Sequence, residues 1–225
     1  MLMAKKLLVI CTMLCLDLFL FVIIYEERMQ EEKAPVSTTF YENVVALTFD
    51  DGPHGTYTSE LLDGLKQRGV VASFFVLGEH IEGNEELILR MKEEGHLIGN
   101  HTFSHVKLDT LNEAAACDEV KRTCDAIESI TGEKVEYIRP PYGAYNEELE
   151  CMINLNKVLW TVDPQDWNTT DTDAIVRHVV RNVKDGDIIL LHDIYSSSVA
   201  AALRIVDELK ARGYIFVTVD DILIK

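Results

Sequence analysis

The chain has 225 residues, 48% of them hydrophobic, enough for one sizeable core and one catalytic-size domain once any membrane segment is set aside. Against 38 Asp and Glu stand 21 Lys and Arg, a formal net charge of -17, which argues against a nucleic-acid partner because phosphate backbones are gripped by clustered cations. A neutral or cationic polymer suits such a surface better, and no protein partner is evident.

The first element is the apolar stretch Leu7–Tyr25, interrupted only by Thr12 and Asp17 and long enough to cross a hydrocarbon core as a helix. Lys5 and Lys6 precede it, and Glu26, Glu27, Glu31 and Glu32 follow. That order keeps the basic flank in the cytoplasm and puts the rest of the chain outside. A cleaved signal peptide carries the same charge order, but no small-x-small site stands near Phe21–Glu27, so residues 1–25 are expected to stay as a single-pass anchor. Residues 26–42, with Pro35 and the run Ser37-Thr38-Thr39, read as a polar stalk, and residues 43–225 as the main domain.

From Asn43 onward, strand-like apolar runs alternate with amphipathic helical stretches. The strands are expected at Val44–Phe49, Ala72–Val76, His96–Asn100, Val135–Arg139, Val158–Val162, Asp187–Leu191 and Tyr214–Val219. Helices are expected at Ser59–Arg68, Asn84–Glu94, Asn112–Thr131, near Asn146–Leu155, at Asp173–Val183 and at Val199–Arg212. Such βα repetition implies a parallel sheet covered by helices, and about seven units suggest an α/β barrel, closed or nearly closed, behind one transmembrane helix. In parallel barrels the chemistry gathers where strands end. At those ends stand Asp50-Asp51-Gly52-Pro53, His101-Thr102-Phe103-Ser104-His105, Arg139-Pro140-Pro141-Tyr142-Gly143, Asp163 to Trp167, and His192-Asp193.

Two adjacent carboxylates are costly to hold as anions unless a cation lies beside them. The i, i+4 spacing of His101 and His105 puts both imidazoles on one face of a helical turn, and one carboxylate added to them makes a ligand set of two histidines and an aspartate. Three protein ligands leave positions open for water and substrate, the arrangement of a catalytic metal site.

Thr48-Phe49-Asp50-Asp51-Gly52-Pro53 and His101-Thr102-Phe103-Ser104-His105 resemble the first two motifs of the NodB-like polysaccharide deacetylases, carbohydrate esterase family four. Arg139-Pro140-Pro141-Tyr142-Gly143, Asp163-Pro164-Gln165-Asp166-Trp167 and Ile189-Leu190-Leu191-His192-Asp193 are similar to the third, fourth and fifth, in order, over roughly Val44 to Leu223. The resemblance implies a distorted (β/α)7-type barrel and a metal-dependent hydrolase that removes N-acetyl groups from peptidoglycan or a chitin-like polymer. It implies that Asp51, His101 and His105 bind a divalent metal, commonly zinc, with cobalt or nickel as substitutes. Asp50 would be the general base, oriented by Arg139, and His192 the general acid, held and charged by Asp166. The Tyr142 N–H would stabilise the oxyanion on a loop stiffened by Pro140 and Pro141, while Trp167 and Leu190 would wall a slot for the acetyl methyl. Two alternatives stay open: an O-acetyl esterase acting on acetylxylan-type polymers, and a glycan-binding module without catalysis.

The remaining conspicuous residues are expected to be structural. Cys117 and Cys124, seven apart on a helix, lie about 10 Å apart along its axis and cannot pair with each other, so free thiols are expected, with Cys151 left undecided. His54, His80, His96 and His178 match no ligand position and read as loop or surface. Asp193 would brace the turn after the sixth strand, Gly132 and Gly213 cap helices, and Leu87 and Met91 face the core.

Overall fold

Seven consecutive buried residues, Val44–Asp50, form β1, the strand on which the architecture is built. A strand apolar on both faces needs neighbours above, below and beside it, as in a parallel sheet covered by helices. The computed structural model describes residues 43–144, 149 and 154–223, and provides those neighbours. The expected anchor and stalk lie outside the described residues, as does most of the helix expected near Asn146–Leu155. Among the described residues no helix is long and apolar enough to cross a membrane.

The order is β1, α1 (Tyr57–Arg68), β2 (Ser73–Val76), α2 (Glu85–Glu93), β3 (Leu97–Asn100), α3 (Glu113–Thr131), β4 (Tyr137–Ile138) and β5 (Asn156–Lys157). It continues with α4 (Thr172–Asn182), β6 (Asp187–His192), α5 (Ser196–Ala211), β7 (Ile215–Val217) and α6 (Val219–Leu223). The strands pair in parallel in the order β5-β4-β3-β2-β1-β6, with β7 added to β1 at Val44–Ala46. This is a curved, half-barrel α/β sheet. Beyond β5 the chain leaves β4 and reaches the opposite edge, where the Thr161 N–H donates to the Ile188 carbonyl at 2.9 Å and the Leu190 N–H to the Val162 carbonyl at 2.9 Å.

The two-residue alternation along the strands sorts the core. Val45, Leu47 and Phe49 join the large cluster that includes Leu61, Leu65, Ile205 and Val206 of α1 and α5. Ala46 instead joins Phe75, Val158, Ile188 and Val219 on the concave side. Thr48 and Asp50 share that side with Ala46, so the same alternation carries the Asp50 carboxylate to the concave mouth at the C-terminal end of β1.

Several boundaries differ from expectation. β4 is confined to 137–138, and β5 lies at 156–157 rather than 158–162, because residues 158–162 cross between sheet edges instead of running along one. α5 begins at Ser196, three residues early, and the last strand ends at Val217, with Val219 opening α6. Gly132, at φ 69°, does cap α3, its N–H donating to the Glu128 carbonyl. Met91 is fully buried. Cys117 is disulfide-bonded rather than free, while Cys124 is a free, half-buried thiol.

His96, expected in a loop or at the surface, lies in the loop before β3 but is buried, its side chain 1% exposed. Its Nδ1 accepts the Ala72 N–H at 3.0 Å, and the ring stands edge-on to Phe74. Burial pulls its pKa down to about 4, Glu94 opposing weakly. The unfolded chain therefore takes up a proton below its ordinary value of about 6.5 that the folded chain refuses until about 4. Stability fully present above that upper pH is lost as pH falls through the window, by up to about 3 kcal/mol for this group. His96→Gln keeps an acceptor for Ala72 but does not titrate. Its urea midpoint, measured from pH 7 to pH 4, should fall less steeply than that of the wild type.

Candidate active site

The loops at the C-terminal ends of the strands enclose a cavity of about 420 Å3. Asp50 and Asp51 enter from β1, His101 and His105 from the loop after β3, Tyr142 from the loop after β4, and His192 from the end of β6. Trp167 and Leu190 complete the expected wall, joined by Trp160 and Asp163, to which sequence reasoning assigned no role.

Asp51, His101 and His105 offer one ligand atom each, all within 4.8 Å of one another. The Nε2 atoms of both histidines stand 3.4 Å from Asp51 Oδ1. His101 Nδ1–H donates to the Arg139 carbonyl at 2.5 Å, which fixes the tautomer and leaves the Nε2 lone pair directed at the cluster. Asp51 Oδ1 is buried and has no hydrogen-bond partner. Burial opposes the charge of Asp51, yet the imidazoles of His101, His192 and His105 hold its carboxyl below the usual carboxylate range. Burial lowers the pKa of His105, with Asp51 opposing. An ionised carboxylate and neutral imidazoles are the forms that bind a cation, and such an ion would satisfy the orphaned buried oxygen between them. The donor set fits a divalent metal.

Asp50 lies beside this cluster but is bound elsewhere. Its Oδ1 accepts from Arg139 Nη1 at 2.7 Å, while its Oδ2 stands 3.7 Å from His101 Nε2. Arg139 is fully buried, its guanidinium 4.2 Å from the centre of the Phe75 ring. Besides Asp50 it donates to the Thr48 hydroxyl and to the carbonyls of Val158 and Leu159. It stands behind the cavity, bonded to Asp50.

His192 is held in the same manner from the other side. Its Nδ1–H donates to Asp166 Oδ1 at 2.8 Å and its backbone N–H to Oδ2 at 2.8 Å, with Asp166 almost wholly buried. Burial by itself would lower the pKa of His192. The hydrogen bond and charge of Asp166, with Asp50 and Asp51, push it up instead, to about 9. A dication in the neighbouring cluster would bring it back down.

Tyr142 is 67% exposed and packs its ring edge against His105, their centroids 4.9 Å apart. Pro140 is buried, and its carbonyl accepts the Gly143 N–H to close the turn beneath Tyr142. Asp51, Thr102, His105 and Tyr142 all hold positive φ, between 56° and 72°. Non-glycine residues in that region cost roughly 1–2 kcal/mol each, and such strain persists only where the surroundings over-determine it. Asp193, expected to brace the turn after the sixth strand, is fully buried and reaches instead to the segment after β1: it accepts from the Thr58 hydroxyl and lies so close to Gly52 that an added Cβ there would fall 2.3 Å from its oxygen. Burial pushes the Asp193 carboxyl up to about 7.

Residues 37–157 match the family model described as polysaccharide deacetylase. The peptidoglycan-N-acetylmuramic acid deacetylase PdaC of Bacillus subtilis is 41% identical over 181 residues, covering 80% of this chain and 39% of PdaC. Its solved structure superposes with a TM-score of 0.78 at 41% identity, covering 81% of this chain and 90% of that one. The peptidoglycan-N-acetylglucosamine deacetylase PgdA of Listeria monocytogenes is 37% identical, covering 79% of this chain and 38% of PgdA. This chain thus spans about two fifths of the length of PdaC and PgdA. A peptidoglycan-N-acetylglucosamine deacetylase of Bacillus cereus is similar nearly end to end, 38% identical and covering 81% of this chain and 89% of that protein.

Proposed function

This chain belongs to the polysaccharide deacetylase family, and from that premise we propose that it hydrolyses N-acetyl groups of a cell-wall glycan, peptidoglycan or a chitin-like polymer, releasing acetate. The observation that carries the reading is the pair of adjacent carboxylates with different partners: Asp51 faces two imidazoles with an oxygen left over, and Asp50 is tied to a buried arginine.

Asp51, His101 and His105 would hold a divalent cation, with zinc favoured by one carboxylate and two imidazoles and cobalt or nickel able to substitute. When bound, the ion supplies Lewis-acid polarisation and a lowered pKa for water. Asp50, oriented by Arg139, takes a proton from the attacking water as its oxygen bonds to the acetyl carbon. The charge that develops on the carbonyl oxygen meets the backbone N–H of Tyr142. His192, its charged form favoured by Asp166, then delivers a proton to the departing nitrogen, so that acetate and a free amine leave. Trp167 and Leu190 wall the cavity on the side where the acetyl methyl would lie.

We read the fold as a distorted (β/α)7 barrel; its support is the pair of backbone hydrogen bonds by which residues 161 and 162 join β6 after residues 156–158 have paired with β4. The same reading places the catalytic domain, residues 43–225, outside the cell on an anchor of residues 1–25 and a stalk of residues 26–42. The charge order around Leu7–Tyr25 supports this placement, as does the disulfide at Cys117, since such bonds persist in oxidising compartments.

The test is acetate release by the full chain in detergent. Peptidoglycan fragments or chitooligosaccharides should be deacetylated, the activity should vanish with a chelator, and zinc should restore it. Release from acetylated xylan alone would make the protein an O-acetyl esterase, and release from none would leave a glycan-binding module.

A further inference from the structure

Asp51 and the two histidines come from loops that share no strand, so something must fix the distance between them. The segment Leu77–His80, which follows β2, lies between the two loops and bonds to both. Toward the first, the Leu77 N–H donates to the Gly52 carbonyl at 2.9 Å, and His80 Nδ1–H donates to the carbonyl of Asp51 itself at 2.8 Å. Toward the second, the N–H groups of Gly78 and Glu79 donate to the carbonyls of Thr102 and Phe103 at 3.0 and 2.9 Å. The segment is a strut of four hydrogen bonds across the gap. It approaches so closely that a Cβ on Gly78 would fall 2.4 Å from the Phe103 ring and 2.5 Å from the Thr123 hydroxyl.

The histidine loop is held from its other side by α3. Both carboxylate oxygens of Glu119 are used on it: Oε2 accepts the N–H groups of Phe103 and Ser104 at 3.0 and 2.8 Å, and Oε1 accepts the Ser104 hydroxyl at 2.9 Å. One turn on, the Arg122 guanidinium lies 3.5 Å from the centre of the Phe103 ring. Thr102, one of the three residues so clamped, and His105, the residue that follows them, have left-handed backbones, which a free loop would relax.

We infer that His80 and Glu119 are positioning residues for the cation site: they hold Asp51 and His105 at ligating separation before any ion arrives. Neither touches the ligand atoms. Each acts on the loop that carries a ligand, His80 through the Asp51 carbonyl and Glu119 through the Phe103 and Ser104 N–H groups and the Ser104 hydroxyl, so the effect belongs in the affinity of the empty site for metal rather than in the chemistry that follows. The inference rests on the proposed Asp51–His101–His105 metal site.

The experiment is a zinc titration of the chelator-stripped full chain in detergent against a chromophoric competitor, with apo Tm measured alongside. His80→Phe keeps a ring and removes the donor; Glu119→Ala removes the clamp. Each should weaken zinc binding by about 10- to 100-fold, the range typical of groups that orient metal ligands. His80→Asn, which returns an N–H near the Nδ1 position, should recover most of the loss, and Glu119→Gln, which keeps one acceptor, should fall between. These milder variants decide the matter if either of the others fails to fold. Zinc affinities within about threefold of wild type in His80→Phe and Glu119→Ala, whatever happens to apo Tm, would overturn the inference. A wild-type chain that binds no zinc would instead sink the metal site beneath it.

Discussion

Asp50→Asn should lower kcat for acetate release by about 10²- to 10⁴-fold, the usual worth of a positioned general base, with little change in zinc affinity. The amide keeps the shape of the carboxylate and an oxygen that can accept from Arg139, so the buried guanidinium retains its partner and the fold should hold. What is lost is the lone pair that can keep a proton. The contrast with its neighbour makes the result specific. Asp51 has a buried oxygen without a hydrogen-bond partner, facing two imidazoles, so Asp51→Asn should lose metal first and regain part of its activity in excess zinc. Asp50 is not in that cluster, and no zinc concentration should rescue its variant. Turnover by Asp50→Asn within tenfold of wild type would remove Asp50 from the role of base.

Residue types and spacing alone marked only that one of the two adjacent aspartates would join His101 and His105; which one came from the resemblance to the family's first motif. The apolar run Val44–Phe49 marks β1, which extends one residue further to Asp50, and the ordered polar groups after the strand ends gather at one rim. Asp50, Asp51, His101, His105 and His192 all reach the cavity, with Arg139 and Asp166 directly behind. The parts that were not legible depend on three-dimensional closure. Residues 158–162 are as apolar as a strand, and nothing local says that they leave one sheet edge for another. His80 and Glu119 act through main-chain groups of other loops, which no side-chain pattern reports. The left-handed backbone at Thr102, a β-branched residue, runs against its preference, since only its surroundings impose it. His96 read as loop or surface, and its burial was not legible because a histidine in sequence carries no mark of the main-chain N–H it will accept.

Arg139 joins the catalytic and structural halves of this account, and its removal should damage both. One guanidinium donates to Asp50, to the Thr48 hydroxyl and to the carbonyls of Val158 and Leu159, tying β1 to the segment that crosses from β4 to β6. Arg139→Met fills much of the volume but leaves the Asp50 carboxylate, only 3% exposed, without its cation. Removing one partner of a buried ion pair typically costs about 3–5 kcal/mol, so the urea midpoint should fall sharply. Activity should fall with it, since a base that is no longer anchored loses the geometry on which proton transfer depends. Arg139→Lys should rescue little, because an ammonium is a point charge with three donors and cannot span the acceptors that a planar fork reaches. The ion-pair explanation separates from simple loss of packing in the double variant. Asp50→Asn placed on Arg139→Met removes the stranded charge, and the pair should be more stable than Arg139→Met alone. If the second substitution only adds to the first, the cost lies in packing around the Phe75 ring, and the role of Arg139 as the holder of Asp50 would have to be abandoned.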